Sequence, residues 1–362
     1  MTGLIPAYAK RVGIPCLFTV HNIHTNKVSM SQIEDRGIDA AEFWENLYFE
    51  NAPESYEQSR DYNLVDMLNT GIFSSTFINT VSPTFLDEVS EGRHDFIPNH
   101  IRHEIRNKRI QGFASGILNA PNAIDNLRCD DSLSMKYNEK NFVEAKLVNK
   151  IKFQKECGLK VDPRAPILFW PSRLDPMQKG CQLLSDILYN IVENHSDVNM
   201  QVAIIANGVY QSVFKDIVHF HHLENRVAVI DFDDTLSHLG FGACDFVLMP
   251  SLFEPCGLPQ MIGAIYGTLP IVHATGGLKD TISHLNVENN TGNGFIFNDY
   301  DSGALSWAID EAVRFFKLDA DVKNAQVKRV IIESNARFRH SETAAQYIKL
   351  YEKILHHSIL ND

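Results

Sequence analysis

The chain has 362 residues, which is too long for one ordinary hydrophobic core and predicts two domains of roughly 150 residues each. Hydrophobic residues make up 44% of the chain and charged residues 22%, a composition typical of a globular protein. The formal net charge of −12 argues against a protein that binds nucleic acid by neutralising phosphates. It leaves room for an enzyme with an anionic substrate, because a basic pocket can lie on an acidic protein.

The sequence also predicts a protein of a reducing compartment. Its six cysteines are scattered and form no Cys-x-x-Cys pair, which argues against a disulfide scaffold. There is no run of about 18 apolar residues to span a membrane, and the first residues lack the basic-then-apolar pattern of a signal peptide. The expectation is a cytoplasmic protein without membrane association.

The first 150 residues show an irregular pattern. Buried strands are predicted at 15–20 and 77–81, with another at 116–118. The long segment 29–70 between the first two strands is predicted to be a helical, partly exposed insert. A domain boundary is expected near residues 157–165, where a predicted helix ends at Gly158 and two prolines follow.

The second half of the chain alternates strands and helices. Its apolar runs predict buried strands at 167–170, 202–205, 227–232, 246–249, 270–272 and 294–297. Helical spacing of apolar residues fills the gaps at 182–193, 213–218, 236–241 and 259–266, and a last amphipathic helix is predicted at 342–357. Because these strands show no polar alternation, they predict a parallel sheet that is covered on both faces. Ligands of such sheets bind beyond the carboxyl ends of the strands.

The densest motif is PSLFEPCGL at 250–258, which leaves a predicted strand and enters a helix. Glu254 places a carboxylate at the end of the strand, and Gly257 lets the backbone come close to a ligand. An anion or a sugar hydroxyl fits such a turn. The alternative interpretation is an ordinary tight turn with a capping glutamate, and local features alone leave both open.

Two further turns carry candidate ligand groups. TGGLKD at 275–280 places two glycines before a helix, as a phosphate cradle or as an ordinary glycine turn. Arg173 and Lys179 flank the turn after the strand at 167–170, where two cations can bind a diphosphate and stabilise a leaving group. Plain solvation at the surface is the alternative for both cations.

The histidines and aspartates favour no metal site. His21 ends a predicted strand, where it either reaches a ligand or serves as a capping or core residue. The spacing of His100, His103 and Glu104 fits neither zinc signature, HExxH or HxxEH. The cluster of aspartates at 231–234 precedes a helix, so capping is the expected role.

In combination the motifs resemble those of the bacterial glycogen synthase and plant starch synthase family. The resemblance extends from Thr2 to about residue 350 and depends on seven strings that occur in the family's order. They are TVHNI (19–23), TVSP (80–83), GILN (116–119), SR with QKG (172–180), FEPCGL (253–258), YGTLP (266–270) and TGGLKDT (275–281).

The resemblance implies an α/β chain with a glycosyltransferase-B fold, in which two Rossmann-like domains face a cleft. The implied domains are residues 1–158 on the acceptor side, 159–335 for the nucleotide sugar, and 336–362 as a helix that crosses back. The implied activity is transfer of glucose from ADP-glucose (or UDP-glucose) to the non-reducing end of an α-1,4-glucan, with retention and in glycogen biosynthesis. No metal, cofactor or nucleic acid is implied, and a homo-oligomer is left open.

The resemblance also assigns roles to individual residues. The implied catalytic residues are His21, Arg173, Lys179 and Glu254. The implied donor-binding residues are Asn119, Phe232, Cys256, Gly257, Leu258, Thr275, Gly276 and Gly277. Among these, Phe232 would lie against the adenine, and His21 would contact the glucose from the other domain.

Three departures from the family pattern keep other functions open. The family's Lys-x-Gly-Gly donor loop has no counterpart, so we expect an incomplete first domain that proteases cut early, and weak activity. Asn119 is followed by APN where the family has GID, and His21-Asn22 is followed by IHTNK. The alternatives are a weakly active or inactive glucan-binding homologue, and a retaining glucosyltransferase with another acceptor.

Overall fold

The structure is a computed structural model that describes residues 2–122 and 126–359. Contacts divide the chain into two units. The first unit contains the residues up to Leu118 together with those from Thr343 onward, and the second unit is Asn119–Glu342.

The first unit contains a parallel three-stranded sheet and an antiparallel strand pair. Its strands are β1 (Leu17–Val20), β2 (Lys27–Val28), β3 (Val65–Asp66), β4 (Phe77–Thr80) and β5 (Ala114–Gly116). The parallel sheet has the order β1-β4-β5, and β2 pairs with β3. The helices of this unit, in chain order up to Leu118, are α1 (Leu4–Arg11), α2 (Met30–Glu34), α3 (Tyr56–Tyr62), α4 (Met67–Ser74), α5 (Pro83–Glu91) and α6 (Asn99–Ile110).

The segment 29–70 is helical only in part. It contains the short helices α2 and α3, two 3₁₀ turns, strand β3 and the start of α4. Its apolar residues do not follow one helical period, and they pack with α1 into a core of their own. The buried members of this core are Leu4, Ala7, Met30, Ile33, Ala40, Phe43, Leu47, Phe49, Val65 and Met67. The segment therefore forms a small packed layer, which differs from the predicted helical insert.

The second unit contains a six-stranded sheet in which every neighbouring pair is parallel. Its strands are β6 (Ile167–Trp170), β7 (Gln201–Ile205), β8 (Val227–Ile230), β9 (Phe246–Met249), β10 (Leu269–His273) and β11 (Phe295–Phe297). All six lie at predicted strands, and their ends differ from the predicted ones by at most two residues. Every residue of β6 and β9 is buried, as expected for central strands that are covered on both faces.

Helices precede, connect and follow the strands of this sheet. They are α7 (Phe142–Glu156), α8 (Cys181–Asn194), α9 (Gln211–Phe220), α10 (Asp234–Ala243), α11 (Pro259–Tyr266), α12 (Gly276–Thr281), α13 (Ser302–Phe316) and α14 (Ala320–Arg337). The strand order is β11-β10-β9-β6-β7-β8, so the first strand lies beside the fourth. This is the order of a doubly wound Rossmann sheet, and it changes direction between β6 and β9.

The last helix, α15 (His340–Leu355), packs on the first unit. The Nδ2 of Asn79 donates to the Oη of Tyr347 over 2.9 Å, and Thr343 Oγ1 donates to the Leu118 carbonyl over 2.9 Å. Leu350 is buried in a cluster with Phe77 and Ile117. These contacts attach α15 to strand β4 and to the residues that follow β5. In the described ranges no helix is long and apolar enough to cross a bilayer.

The division between the units lies forty residues earlier than the sequence-based boundary at residue 158. Residues such as Tyr137 and Lys150, which precede the sequence-based boundary, belong to the second unit because their polar side chains bond to its sheet and helices. The Nζ of Lys150 on α7 lies 2.6 Å from the Oδ2 of Asp245, just before β9. The Oη of Tyr137 donates to the carbonyl of Tyr266 over 2.7 Å. The boundary was predicted from the positions of prolines and a glycine, and these local signals carry no information about long-range contacts.

Asp130 is a buried carboxylate that also bonds to Tyr266, and it should make the stability of the fold depend on pH. Its Oδ2 accepts hydrogen bonds from His238 Nδ1 at 2.9 Å and from Tyr266 Oη at 2.7 Å. Burial alone would raise the pKa of Asp130, but the bonds from His238, Tyr266 and the Ser132 amide outweigh it and lower this pKa to about 2. A depressed pKa in the folded state stabilises the fold above about pH 4, and the stabilisation is lost as the pH falls towards 2.

We therefore expect Asp130→Asn to lower the unfolding free energy by about 2 kcal/mol at pH 7 and by progressively less below pH 4. Urea unfolding across this pH range measures the difference. The matched control is Asp131→Asn, because the neighbouring Asp131 side chain is 95% exposed. Equal and pH-independent effects of the two substitutions would show that Asp130 does not act through its charge.

Candidate active site

Most of the predicted site residues lie at one edge of the six-stranded sheet. Loop 171–180 follows β6, loop 250–258 follows β9, and residues 274–275 follow β10. Because all these strands are parallel, the three loops leave the sheet at the same carboxyl edge. The first two flank the point where the strand order reverses, which is where doubly wound sheets bind their ligands.

The loops after β6 and β9 are joined directly. The amide of Leu252 donates to the carbonyl of Gln178 over 2.8 Å. Gly180 has a φ of 70°, and a side chain there would place its Cβ 2.0 Å from the carbonyl oxygen of Pro250. Only glycine allows this approach, so the loop that carries Lys179 is held against the loop that carries Glu254.

Lys179 and Glu254 form a buried ion pair. The Nζ of Lys179 lies 2.5 Å from the Oε2 of Glu254, and the two residues are 9% and 6% exposed. The Oγ of Ser251 donates to the same Oε2 over 3.1 Å. One of the three N–H donors of Lys179 is used by the pair, so the others can bind an anion. The hydrogen bonds to Glu254 converge on Oε2, which leaves Oε1 to accept a ligand hydroxyl.

The glycine turn after β10 packs on the Glu254 loop. The amide of Gly277 donates to the carbonyl of Glu254 over 2.9 Å, at the start of α12. A Cβ at Gly277 would lie 2.0 Å from the carbonyl oxygen of Cys256. Thr275 and Gly276, which precede Gly277, are buried. The predicted turn therefore meets the FEPCGL motif in space, through contacts that need a glycine.

Gly277→Ala should therefore destabilise the fold and displace the Glu254 loop. Forcing a methyl group against backbone atoms costs about 1–3 kcal/mol of unfolding free energy. The control is Gly303→Ala on α13, where the nearest atom outside the helix backbone is a side-chain atom, the Oδ1 of Asp301 at 3.2 Å. Thermal or urea unfolding measures both variants, and equal stabilities would contradict the close approach.

Asn119 and Cys256 are also brought together. The Asn119 backbone donates a hydrogen bond to the Cys256 sulfur. Burial nevertheless raises the pKa of the Cys256 thiol to about 11, so the thiol stays protonated at neutral pH. The Cys256 side chain is therefore a buried, neutral thiol and offers no thiolate nucleophile.

Three predicted residues at this edge are exposed. Arg173 lies in the loop after β6, and Leu258 lies just before α11. Phe232 follows β8 and is 51% exposed, while its amide donates to the Oδ1 of Asn207 over 2.9 Å. An exposed aromatic ring at a carboxyl edge offers a flat apolar face for a base.

His21 lies in the first unit and is exposed directly after β1. Its neighbour Asn22 accepts a hydrogen bond at Oδ1 from the amide of His24 over 3.0 Å. The strand end therefore leaves the imidazole open to solvent. The structure of this unit supports neither of the alternative roles in a core or a cap.

The candidates that the sequence analysis set aside have structural roles. Asp233 caps α10 by accepting a hydrogen bond from the Leu236 amide, which confirms the capping prediction for this aspartate. His100 stacks on Tyr48 with ring centroids 5.6 Å apart. Across residues 2–122 and 126–359, no group of three or more His, Cys, Asp or Glu side chains is arranged to hold a metal ion.

Two buried polar residues of the site, Ser251 and Gln260, were not predicted from the sequence. Ser251 bonds to Glu254, and Gln260 donates from Nε2 to the carbonyls of Cys256 and Gly257 at 3.1 and 3.0 Å. Gln260 is fully buried and holds the turn from within α11. A polar residue in the otherwise apolar helix 259–266 was the available signal for Gln260. Ser251 is part of the PSLFEPCGL motif at 250–258, so its position in the sequence was the available signal for it.

The sequence matches two protein families. Residues 153–329 match "Glycosyl transferases group 1", and residues 1–98 match "Starch synthase catalytic domain". A glycogen synthase from Thermosipho melanesiensis is 32% identical over 364 residues, which cover 98% of this chain and 71% of that protein. A glycogen synthase from Lactococcus lactis subsp. lactis is 31% identical, with 97% and 68% covered.

A solved structure agrees with these matches. The catalytic domain of starch synthase IV from Arabidopsis thaliana, bound to ADP and acarbose, is similar with a TM-score of 0.79 at 25% identity. The alignment covers 97% of this chain and 71% of that chain. The fold, the parallel Rossmann sheet and the family matches define a glycosyltransferase with the glycosyltransferase-B fold, which confirms the predicted fold class. The chain belongs to the glycogen synthase and starch synthase family, as its motifs predicted.

Proposed function

We propose that this enzyme transfers glucose from a nucleoside diphosphate glucose to the non-reducing end of an α-1,4-glucan with retention of configuration. ADP-glucose is the proposed donor, with UDP-glucose as the second choice. The observation that carries the proposal is the joined pair of loops at the strand-order reversal, where Lys179 and Glu254 lie 2.5 Å apart. That pair supplies a cation for phosphate and a carboxylate for sugar hydroxyls in one place.

The proposed phosphate contacts are Arg173 and Lys179. Transfer breaks the bond between the glucose C1 and the diphosphate, so negative charge grows on the departing oxygen. Fixed cations aimed at that oxygen stabilise the transition state more than the bound donor. Lys179 is held in place by Glu254, and Arg173 supplies a second cation from the same loop. The turn 275–277 is proposed to lie along the phosphates and the glucose.

The proposed sugar contacts centre on Glu254. Its Oε1 accepts a hydrogen bond from a glucose hydroxyl, while Oε2 stays bonded to Lys179 and Ser251. A hydroxyl that bonds to a charged acceptor in a dry site is held more firmly than one that bonds to a neutral acceptor. The backbone of Cys256 and Gly257, with Asn119 and Leu258, completes the proposed donor-glucose contacts.

Phe232 and His21 complete the proposed site. The exposed ring of Phe232 is proposed to stack on the adenine, and the exposed His21 is proposed to contact the donor glucose. The ADP bound to the Arabidopsis relative favours an adenine nucleotide.

In the proposed chemical step, the acceptor O4 forms the new bond to the glucose C1 and releases its proton. Because configuration is retained, the departing phosphate oxygen is on the same side and is the nearest base. A cytoplasmic location is part of this proposal.

The donor and acceptor are tested by comparing kcat/KM for ADP-glucose and UDP-glucose, each with glycogen and with a small sugar phosphate as acceptor. The proposal expects ADP-glucose with glycogen to be the best pair and expects α-1,4-linked glucose in the product. Preference for the sugar phosphate would favour a retaining glucosyltransferase with another acceptor. Glycogen binding without turnover of either donor would favour the inactive homologue.

A further inference from the structure

The second unit contains a cavity at the opposite edge of its sheet. The cavity measures about 350 Å³ and lies where β9 and β10 begin, next to Asp245 and Leu269. One face of α7 forms a wall, and the end of α13 with the start of α14 forms another. Its apolar lining includes Phe142, Leu147, Phe246, Phe315, Phe316 and Val327. The volume falls within the range of small-molecule sites, which are mostly apolar with a few polar groups.

The charged side chains that line this cavity are mainly positive. They are Lys146, Lys150, Arg164 and Lys323, against the single carboxylate of Asp245. Lys150 takes up that carboxylate, with its Nζ 2.6 Å from the Asp245 Oδ2. Two further ammonium groups therefore share an apolar lining, in a chain whose net charge is −12.

Lys146 and Lys323 are bonded to neutral groups. The Nζ of Lys146 donates to the Thr268 Oγ1 over 2.8 Å and approaches the Tyr266 carbonyl at 3.4 Å. The Nζ of Lys323 donates to the Phe316 carbonyl over 3.1 Å and lies 4.1 Å from the centre of the Phe316 ring. An ammonium has three donors, so each lysine retains capacity for one more acceptor.

Keeping Lys146 and Lys323 charged in this cavity costs free energy. Burial lowers the pKa of Lys146 to about 8, and burial also lowers the pKa of Lys323, in both cases against the attraction of Asp245. Burial disfavours the charged form because the apolar surroundings replace water. An anion in the cavity would offset that cost, and an apolar body on the anion would cover the aromatic lining.

We propose that this cavity binds a small amphipathic anion, in which a carboxylate or phosphate head lies between Lys146 and Lys323 and an apolar body fills the space lined by the phenylalanines. The cavity is separate from the proposed donor site, because the two lie at opposite edges of the same sheet. Binding here is independent of the glucosyl transfer proposed above.

Calorimetric titration of the full chain tests the proposal with four probes: hexanoate, hexyl phosphate, hexanamide and inorganic phosphate. We expect saturable one-to-one binding of hexanoate or hexyl phosphate, and at least about tenfold weaker binding of hexanamide and inorganic phosphate. The tighter of the first two probes identifies the head group. Equal binding of hexanamide, or of inorganic phosphate, would overturn the proposal.

Variants locate the binding. Lys146→Met and Lys323→Met lie on two different walls and should each weaken the better probe at least about tenfold. Lys152→Met is the matched control, because Lys152 lies on α7 with its side chain 43% exposed and lines no part of the cavity. Thermal unfolding checks that each variant is folded. Unchanged affinity in either folded lysine variant, or no saturable binding to the wild-type chain, would overturn the proposal.

Discussion

Arg173→Ala should lower kcat for glucosyl transfer by about a hundredfold or more while leaving the stability of the fold unchanged. Removing one fixed donor that faces developing charge costs about 10²–10³ in kcat. Stability should be unaffected because Arg173 is exposed in the loop after β6. The measurement is the steady-state release of the nucleoside diphosphate with saturating donor and glycogen.

The control for this prediction is Arg314→Ala, because Arg314 lies on α13 with its side chain 63% exposed. It removes the same charge from the same unit without touching the carboxyl edge of the sheet. A wild-type kcat in Arg173→Ala would contradict the phosphate role. A loss of activity in parallel with a loss of stability would show that Arg173 acts on the fold.

Glu254→Gln should reduce both activity and stability, for two separate reasons. Activity should fall at least about tenfold, because a hydrogen bond from a sugar hydroxyl to a charged carboxylate contributes about 1.5–3 kcal/mol. Stability should fall by about 3–5 kcal/mol, because the substitution leaves the buried Lys179 ammonium without its partner. The control is Glu333→Gln, because Glu333 lies on α14 with its side chain 57% exposed.

The double variant Lys179→Met/Glu254→Gln separates these two effects. Removing both charges of a buried pair is often nearly neutral for stability, so the double variant should recover much of the stability that Glu254→Gln loses. Its activity should stay low, because neither the cation nor the carboxylate is restored. Recovery of activity together with stability would show that the pair has only a structural role.

The sequence predicted the second unit better than the first. The strands β6 and β9 and the helix α11 were predicted to the residue, because continuous apolar runs end there at proline or glycine. The helices α13 and α14 were not predicted, although Leu305, Ile309 and Val313 on α13 follow a helical period. Segment 29–70 was only partly predicted, because its short elements depend on packing with α1 and not on a local pattern.

The candidate site was predicted as residue types but not as contacts. Glu254 and Lys179 were identified from separate motifs 75 residues apart, and nothing local predicted that they form an ion pair. The ion pair between Lys179 and Glu254 follows from the strand order, which places β6 beside β9. The roles of Ser251 and Gln260 likewise depend on contacts across the folded loops.

The proposed glucosyl transfer is tested most directly by the incorporation of labelled glucose from ADP-glucose into glycogen by the purified full chain. We expect label in the glucan as α-1,4-linked residues and one nucleoside diphosphate released per glucose, with both products formed about a hundredfold or more slowly by Arg173→Ala. A folded wild-type chain that transfers no label from ADP-glucose or UDP-glucose would contradict this expectation. If the single variants Arg173→Ala and Glu254→Gln both incorporate as much label as the wild-type chain, transfer does not take place at the carboxyl edge of β6 and β9.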